Sequence, residues 1–303
     1  MTNVRRTCFI ACLCAAVALS APSLRGQAPG PAPILVVVNS ASANPFGNYL
    51  PEILRAEGIT SLDVADLSTV TPTMLNNAKV AILAETTVSG GQATTFANYV
   101  AGGGRLVAMR PDPALYGTLG IAAAGATTTD GYVLIDQNGP GAGLQNVTLP
   151  FKGTATQYTL AGATPVATLY STIATSTGRP AVVKFGRTAA WSFDLARSTV
   201  VTRQGDPALA GLERDGVAPY RTQDLFYGKV DLDRLNVPHA DVQMRLFARV
   251  VADLLADALP LPHLWYFPGT AKTVVMPTSD AHTTLANDYQ ALITCVQAFG
   301  ARA

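Results

Sequence analysis

Apolar and polar positions follow two different periods along the chain, and each change of period marks an element. After the proline-rich "PGPAP" at 29 to 33, "ILVVVNS" (34 to 40) is a continuous β-branched run, as a strand buried on both faces requires. The next stretch, "NPFGNYLPEILRAEG" (44 to 58), sets Tyr49, Ile53, Leu54 and Ala56 near one face of a helix that Gly58 closes. The same alternation recurs downstream. Strands are predicted over "SLDVADL" (61 to 67), "KVAILAE" (79 to 85) and "RLVAMR" (105 to 110). Between them lie a short helical turn, "TPTMLNNA" (71 to 78), and a glycine-closed helix, "GGQATTFANYVAGGG" (90 to 104). Strands alternating with helices in this way specify an α/β fold, a doubly wound parallel sheet with right-handed crossovers.

Past Pro111 the texture shifts to short Thr-, Gly- and Ala-rich segments bounded by turn signals, which read as added antiparallel strands. "RPAVVKFGRTAAWSFDL" (179 to 195) reads as a hairpin turning at Gly186 and Arg187, with Trp191 and Phe193 on one face. It is expected to complete the first sheet or to form a flap on it. The span 196 to 228 is the most charged part of the chain and shows little period, so a long surface segment is expected there. Helical spacing returns in "ADVQMRLFARVVADLLADAL" (240 to 259), where Val242, Leu246, Val250 and Leu254 fall about a turn apart and Pro260 and Pro262 end the helix. A last apolar run, "VVM" (274 to 276), precedes Ser279, Asp280 and His282, and "TTLANDYQALITCVQAF" suits a helix after it.

Composition narrows the classes of function. Of 303 residues, 49% are hydrophobic and 14% charged, enough to bury a large core and exclude a disordered chain. The balance of 21 Lys and Arg against 20 Asp and Glu, with no basic run, excludes the electrostatic footprint of a nucleic-acid binder. At the amino end, Arg5 and Arg6 precede an apolar stretch from Cys8 to Ala21 and then small residues, the pattern of an export signal over 1–28 with cleavage after Ala28. That stretch is too short for a membrane span, so a secreted or periplasmic chain with no membrane span is expected. Lipidation at Cys12 would leave hardly any apolar core ahead of the cysteine. Removal of Cys8, Cys12 and Cys14 with the signal leaves Cys295 alone and excludes an intramolecular disulfide.

The chemistry-bearing residues are few. The chain carries no G-x-S-x-G elbow, no H-E-x-x-H and no Walker loop, and no G-x-G-x-x-G follows the first strand. Glu85 ends the third strand, where sheets of this class bind ligands, although a loop anchor or a helix-cap partner is the plainer reading. "RQGDPALAGLERDG" (203 to 216) gathers Arg203, Asp206, Glu213, Arg214 and Asp215, a set able to hold a polar polymer or, more plainly, a loop knitted by surface ion pairs. Asp280 and His282 sit where a strand end would open into a crevice. Asp280 would serve there as base or ligand and His282 as ligand or proton shuttle, against the alternative of a helix N-cap. The three histidines His239, His263 and His282 form no helical metal-binding pair, so spacing alone completes no zinc site.

Read in order, "AAWSFDLARSTVVTRQGDPALAG", "PHADVQMRLFARVV" and "LPLPHLWYFPGTAKTVVMPTSDAH" resemble the amino-terminal half of secreted bacterial proteins related to polysaccharide deacetylases. In those proteins a domain like class I glutamine amidotransferases precedes a NodB-type deacetylase domain. The resemblance implies an amidotransferase-like α/β domain over 33–200 and a connecting region over 201–262. It further implies the first strand and helix of a truncated (β/α) deacetylase barrel over 263–303. In the amidotransferase-like part, "YVAGGGRLVAMRPD" leads to the turn that bears the nucleophile in active members. Here that turn carries Met109, Arg110 and Pro111 and no cysteine, which argues against glutaminase chemistry. In the deacetylase part, the resemblance makes Asp280 the catalytic base. It puts Ala281 where a metal ligand belongs, and leaves His282 as the residue able to replace it. The expected cofactor of the family is a zinc-like divalent metal, and the expected partner is an acetylated polysaccharide. The chain itself is expected to be inactive alone, or else to serve as a non-enzymatic glycan- or partner-binding module.

Overall fold

The computed structural model describes residues 31–228, 236–258, 261–264 and 285–298. The chain divides into two compact units, Met1–Pro262 and His263–Ala303.

The first unit opens with β1 (Ile34–Val38), a 3-10 turn over Pro45–Tyr49, α1 (Leu50–Ala56), β2 (Leu62–Asp66), α2 (Pro72–Asn77), β3 (Val80–Leu83), α3 (Gly90–Ala101) and β4 (Arg105–Met109). The caps are those the sequence supplies. Thr71 accepts from Met74 N to start α2, and Ser89 forms a reciprocal capping box with Gln92 to start α3. Seven strands follow: β5 (Ile121–Thr129), β6 (Tyr132–Ile135), β7 (Leu149–Pro150), β8 (Thr154–Leu160), β9 (Thr164–Tyr170), β10 (Ser176–Phe185) and β11 (Thr188–Trp191). Helices α4 (Leu195–Gln204) and α5 (His239–Leu255) end the first unit, and α6 (Ala286–Ala298) lies in the second.

Nine strands form one sheet in the order β2-β1-β3-β4-β11-β10-β9-β6-β7. Its first half is parallel, since β1 pairs with β2 and β3, β3 with β4, and β4 with β11. From β11 onward the pairing is antiparallel. The β10–β11 hairpin therefore completes the first sheet, turning at Gly186 with φ 53°. β5 and β8 pair separately as a two-stranded ribbon.

Successive residues of β1 enter opposite cores, which explains its unbroken apolar run. Ile34, Val36 and Val38 pack with residues of α1, α4 and α5, while Leu35 and Val37 pack with Leu75 of α2 and Phe96 of α3. Trp191 meets Phe247 of α5 edge to face at 5.5 Å, so α5 shares the core of the sheet.

One element departs from expectation. Residues 195–204, inside the stretch predicted as a charged surface segment, form α4, with Leu195, Ala196, Val200 and Val201 buried. Asp194 caps it by accepting from Arg197 N. Hydroxyl residues Ser198 and Thr199 are buried with the apolar ones, which blurs the stripe that would have announced the helix. Among the described residues, no helix is long and apolar enough to cross a membrane.

Candidate functional site

The parallel strands run β1 to β2 toward one edge and β3 to β4 toward the other, so the order reverses between β1 and β3. At such a reversal the loops leave in opposite directions and open a crevice beyond the carboxyl ends of the strands. Here that crevice is a cleft of about 570 Å³. Asn39 follows β1, Glu85 follows β3 and Arg110 follows β4, while Asn44, Tyr116 and Thr156 close its sides.

Arg110 is the most constrained residue in the cleft. Its backbone has φ 37°, a left-handed conformation that costs a side-chain-bearing residue about 1–2 kcal/mol. It is nonetheless fixed. Arg110 N donates to Trp191 O at 2.9 Å, extending the β4–β11 ladder by one bond. The guanidinium is held twice, with Nη1 2.6 Å from Glu85 Oε1 and Nε donating to Thr156 Oγ1 at 3.1 Å. Its remaining N–H groups are free of intramolecular partners among the described residues, and the side chain is 31% exposed.

Glu85 is tied on its other side. Asn44 Nδ2 donates to Glu85 Oε2 at 3.3 Å and to Asp194 Oδ2 at 2.8 Å, so one amide bridges two carboxylates. Burial, with the Asp194 charge adding to it, pushes the Glu85 carboxyl above its ordinary value, and the Arg110 ion pair works against that rise. Asp194 is buried and is likewise pushed up by burial, opposed first by the Asn44 hydrogen bond. Across the cleft, Asn39 Nδ2 donates to Thr86 Oγ1 at 2.8 Å and joins the ends of β1 and β3. Tyr116 stands edge-on to buried Tyr158 at 5.3 Å and presents an aromatic wall.

The cleft offers a guanidinium, a carboxylate, amides and hydroxyls around one opening. No cysteine, histidine or serine activated by a base lines it, and Arg110 occupies the turn where the amidotransferase resemblance would put a thiol. Of the residues singled out from the sequence, Glu85 is in the cleft. Asp280 and His282, to which the resemblance assigns the base and the metal ligand, lie outside the described residues, as does Ala281. His239 is buried at the head of α5, and His263 belongs to the second unit.

The 203–216 loop is knitted by its own hydrogen bonds and ion pairs. Glu213 Oε1 accepts from Gly216 N, Asp215 pairs with Arg221 at 2.8 Å, and buried Asp224 accepts from the backbone of Arg214, Asp215 and Arg221. Those backbone hydrogen bonds, that of Arg221 foremost, hold the Asp224 carboxyl below its usual value. Glu213, Asp215 and Asp224 lie close enough to suggest a cation site. Their oxygens already serve these amides and Arg221.

No protein-family model matches the chain, and no curated protein matches its sequence. Solved structures do. An α-L-fucosidase, isoenzyme 2 from Paenibacillus thiaminolyticus, aligns over 77% of this chain and 35% of its own length, at 15% identity and a TM-score of 0.50. A β-galactosidase from Bacillus circulans sp. alkalophilus aligns over 57% of this chain and 30% of its own, at 15% identity and a TM-score of 0.43. A glutamine amidotransferase from Thermotoga maritima aligns over 75% of this chain and 99% of its own, at 13% identity and a TM-score of 0.45. The chain thus spans about a third of the fucosidase and of the galactosidase. What it has in common with the fucosidase is a mixed α/β fold.

Proposed function

We propose that the first unit is a carbohydrate-binding α/β module, amidotransferase-like in layout, that uses the strand-end cleft without catalysing a reaction there. The observation that carries this reading is Arg110, held in a costly backbone conformation with part of its guanidinium turned to a polar cleft. The chemistry around it favours a neutral polyol. An anionic ligand would meet Glu85 and Asp112 beside a single guanidinium already neutralised by Glu85, whereas an apolar ligand would leave these groups desolvated and unpaired. A sugar donates hydroxyls to the carboxylates, accepts from Arg110 and Asn39, and can lay its C–H face against Tyr116. Such a ligand suits the α-L-fucosidase that carries this fold over part of its length.

Calorimetric titration of the full chain with neutral and sulfated oligosaccharides tests this. Arg110→Ala and Glu85→Gln should each weaken a neutral glycan by roughly tenfold, the value of one buried charge-assisted hydrogen bond. Unchanged affinity in both variants, or a preference for the sulfated ligand, would overturn the reading.

The deacetylase relation is a second reading and rests on the sequence resemblance of the segments between 189 and 282. On it, the exported chain is the amino-terminal part of a metal-dependent polysaccharide deacetylase and is inactive by itself. Acetate release from an acetylated glycan by the purified chain, lost in Asp280→Ala, would show activity instead.

A further inference from the structure

A second hollow of about 620 Å³ is bounded by the Pro45–Tyr49 turn, the carboxyl end of α4 and the loop that follows it. Its walls carry aromatic faces. Phe46 and Tyr49 are half-buried with ring centroids 6.4 Å apart and planes tilted by 36°, and Tyr220 is 37% exposed. Arg197 lies over the Phe46 ring at 5.7 Å and holds it in place. Between the rings stand Asn48, Glu52 and Gln204, all exposed and, among the described residues, without hydrogen-bond partners. An adjoining hollow of about 400 Å³ shares Tyr49, Glu52 and Gln204 and is also lined by Thr199, which is 5% exposed and whose hydroxyl has no hydrogen-bond partner among the described residues.

We infer that this groove is a second carbohydrate subsite and that one oligosaccharide reaches it from the strand-end cleft; the inference rests on the carbohydrate reading of that cleft. Rings that offer flat faces, beside amides and a carboxylate with unused capacity, match a pyranose, which has an apolar C–H face and an equatorial belt of hydroxyls. The charge argues against an anion, because Glu52 is the uncompensated charge while Arg203 is shared with Asp241 at 3.8 Å and the Met244 sulfur. The boundary argues against an extended peptide, since helices and a loop frame the groove and offer no strand edge to augment. Two connections join it to the cleft. The turn that carries Phe46 and Tyr49 starts at Asn44, the residue bridging Glu85 and Asp194. Helix α4 starts behind the cleft, where its cap Asp194 accepts from Asn44, and ends at Gln204 in the groove.

Titration of the full chain with the hexamer and the dimer of β-1,4-linked N-acetylglucosamine, in Tyr220→Ala, Glu52→Gln and Arg110→Ala, tests the inference. Both groove positions are exposed, and an unchanged melting temperature confirms their folding. The hexamer should bind roughly tenfold more weakly to each groove variant, the scale of one lost aromatic or hydrogen-bonded contact, with the dimer unaffected. If groove variants leave the hexamer unchanged while Arg110→Ala weakens both ligands, the groove is not a subsite and the cleft reading stands. A hexamer that responds to the groove variants but not to Arg110→Ala makes the groove a glycan site by itself and overturns both the cleft reading and the shared oligosaccharide. Failure of the wild-type chain to bind either ligand overturns both.

Discussion

Arg110 sets local stability against recognition. Its left-handed backbone, φ 37°, stands immediately before Pro111, a neighbour that further restricts the allowed conformations. The ion pair to Glu85 is partly exposed and of the kind that contributes about 0–1 kcal/mol, which does not exceed the backbone cost. Arg110→Gly removes both terms. The variant should therefore melt at the same temperature as the parent or above it, by differential scanning calorimetry, while its affinity for a neutral glycan falls as far as that of Arg110→Ala. A clear loss of stability would mean that the guanidinium is needed to hold the fold. From the sequence, Glu85 and Arg110 were legible as strand-end residues because strand ends follow from the apolar runs. Their partners were not. Asn44 reaches Asp194 across 150 positions, and Arg110 reaches Thr156 across 46, distances over which no local pattern carries information.

At the scale of elements, α4 depends on Asp194, whose carboxylate caps the helix, accepts from Asn44 and is buried. Its folded pKa is raised, so the native state holds that proton more tightly than the unfolded chain. The cost of the buried charge is absent below the ordinary Asp value of about 3.9, grows as pH rises through the raised value, and is constant above it. Asp194→Asn cannot ionise and Asn remains a competent cap. The melting temperature of the variant minus that of the parent should therefore increase as pH rises from about 4 to neutrality. A difference that stays flat or falls would show that the cap and the Asn44 bond outweigh burial. The helix escaped sequence reading because "ARSTVVTRQ" buries hydroxyls and valines in succession around the helix, whereas α5, with a clean apolar stripe, was plain. The βα alternation up to Met109 was legible for the opposite reason. A strand covered on both faces must be apolar along its length; β1 and β3 are so throughout, and β4 is from Leu106 to Met109.

For the whole first unit, α5 shares the core of the sheet. Phe247 is fully buried against Trp191, so Phe247→Ala should cost about 3–5 kcal/mol by chemical denaturation. A loss under about 1 kcal/mol would mean that α5 is peripheral to the core. Since Asn44, Glu85 and Asp194 rest on strands and helices packed into that core, the same variant should weaken glycan binding only as far as the unit unfolds.

The order of strands also fixes an order of events in synthesis. β4 borders β3 on one side and β11 on the other, and β11 is some eighty residues downstream, past every strand of the antiparallel half. Until Thr188–Trp191 has emerged from the ribosome, β4 presents an open edge, apolar from Leu106 to Met109, and Arg110 lacks the carbonyl of Trp191 that holds its backbone. Pairing over so long a separation is slow, and an exposed apolar edge invites association with other chains. The nascent chain therefore has a window in which its would-be central strand is its most aggregation-prone segment, and the window closes when the hairpin docks.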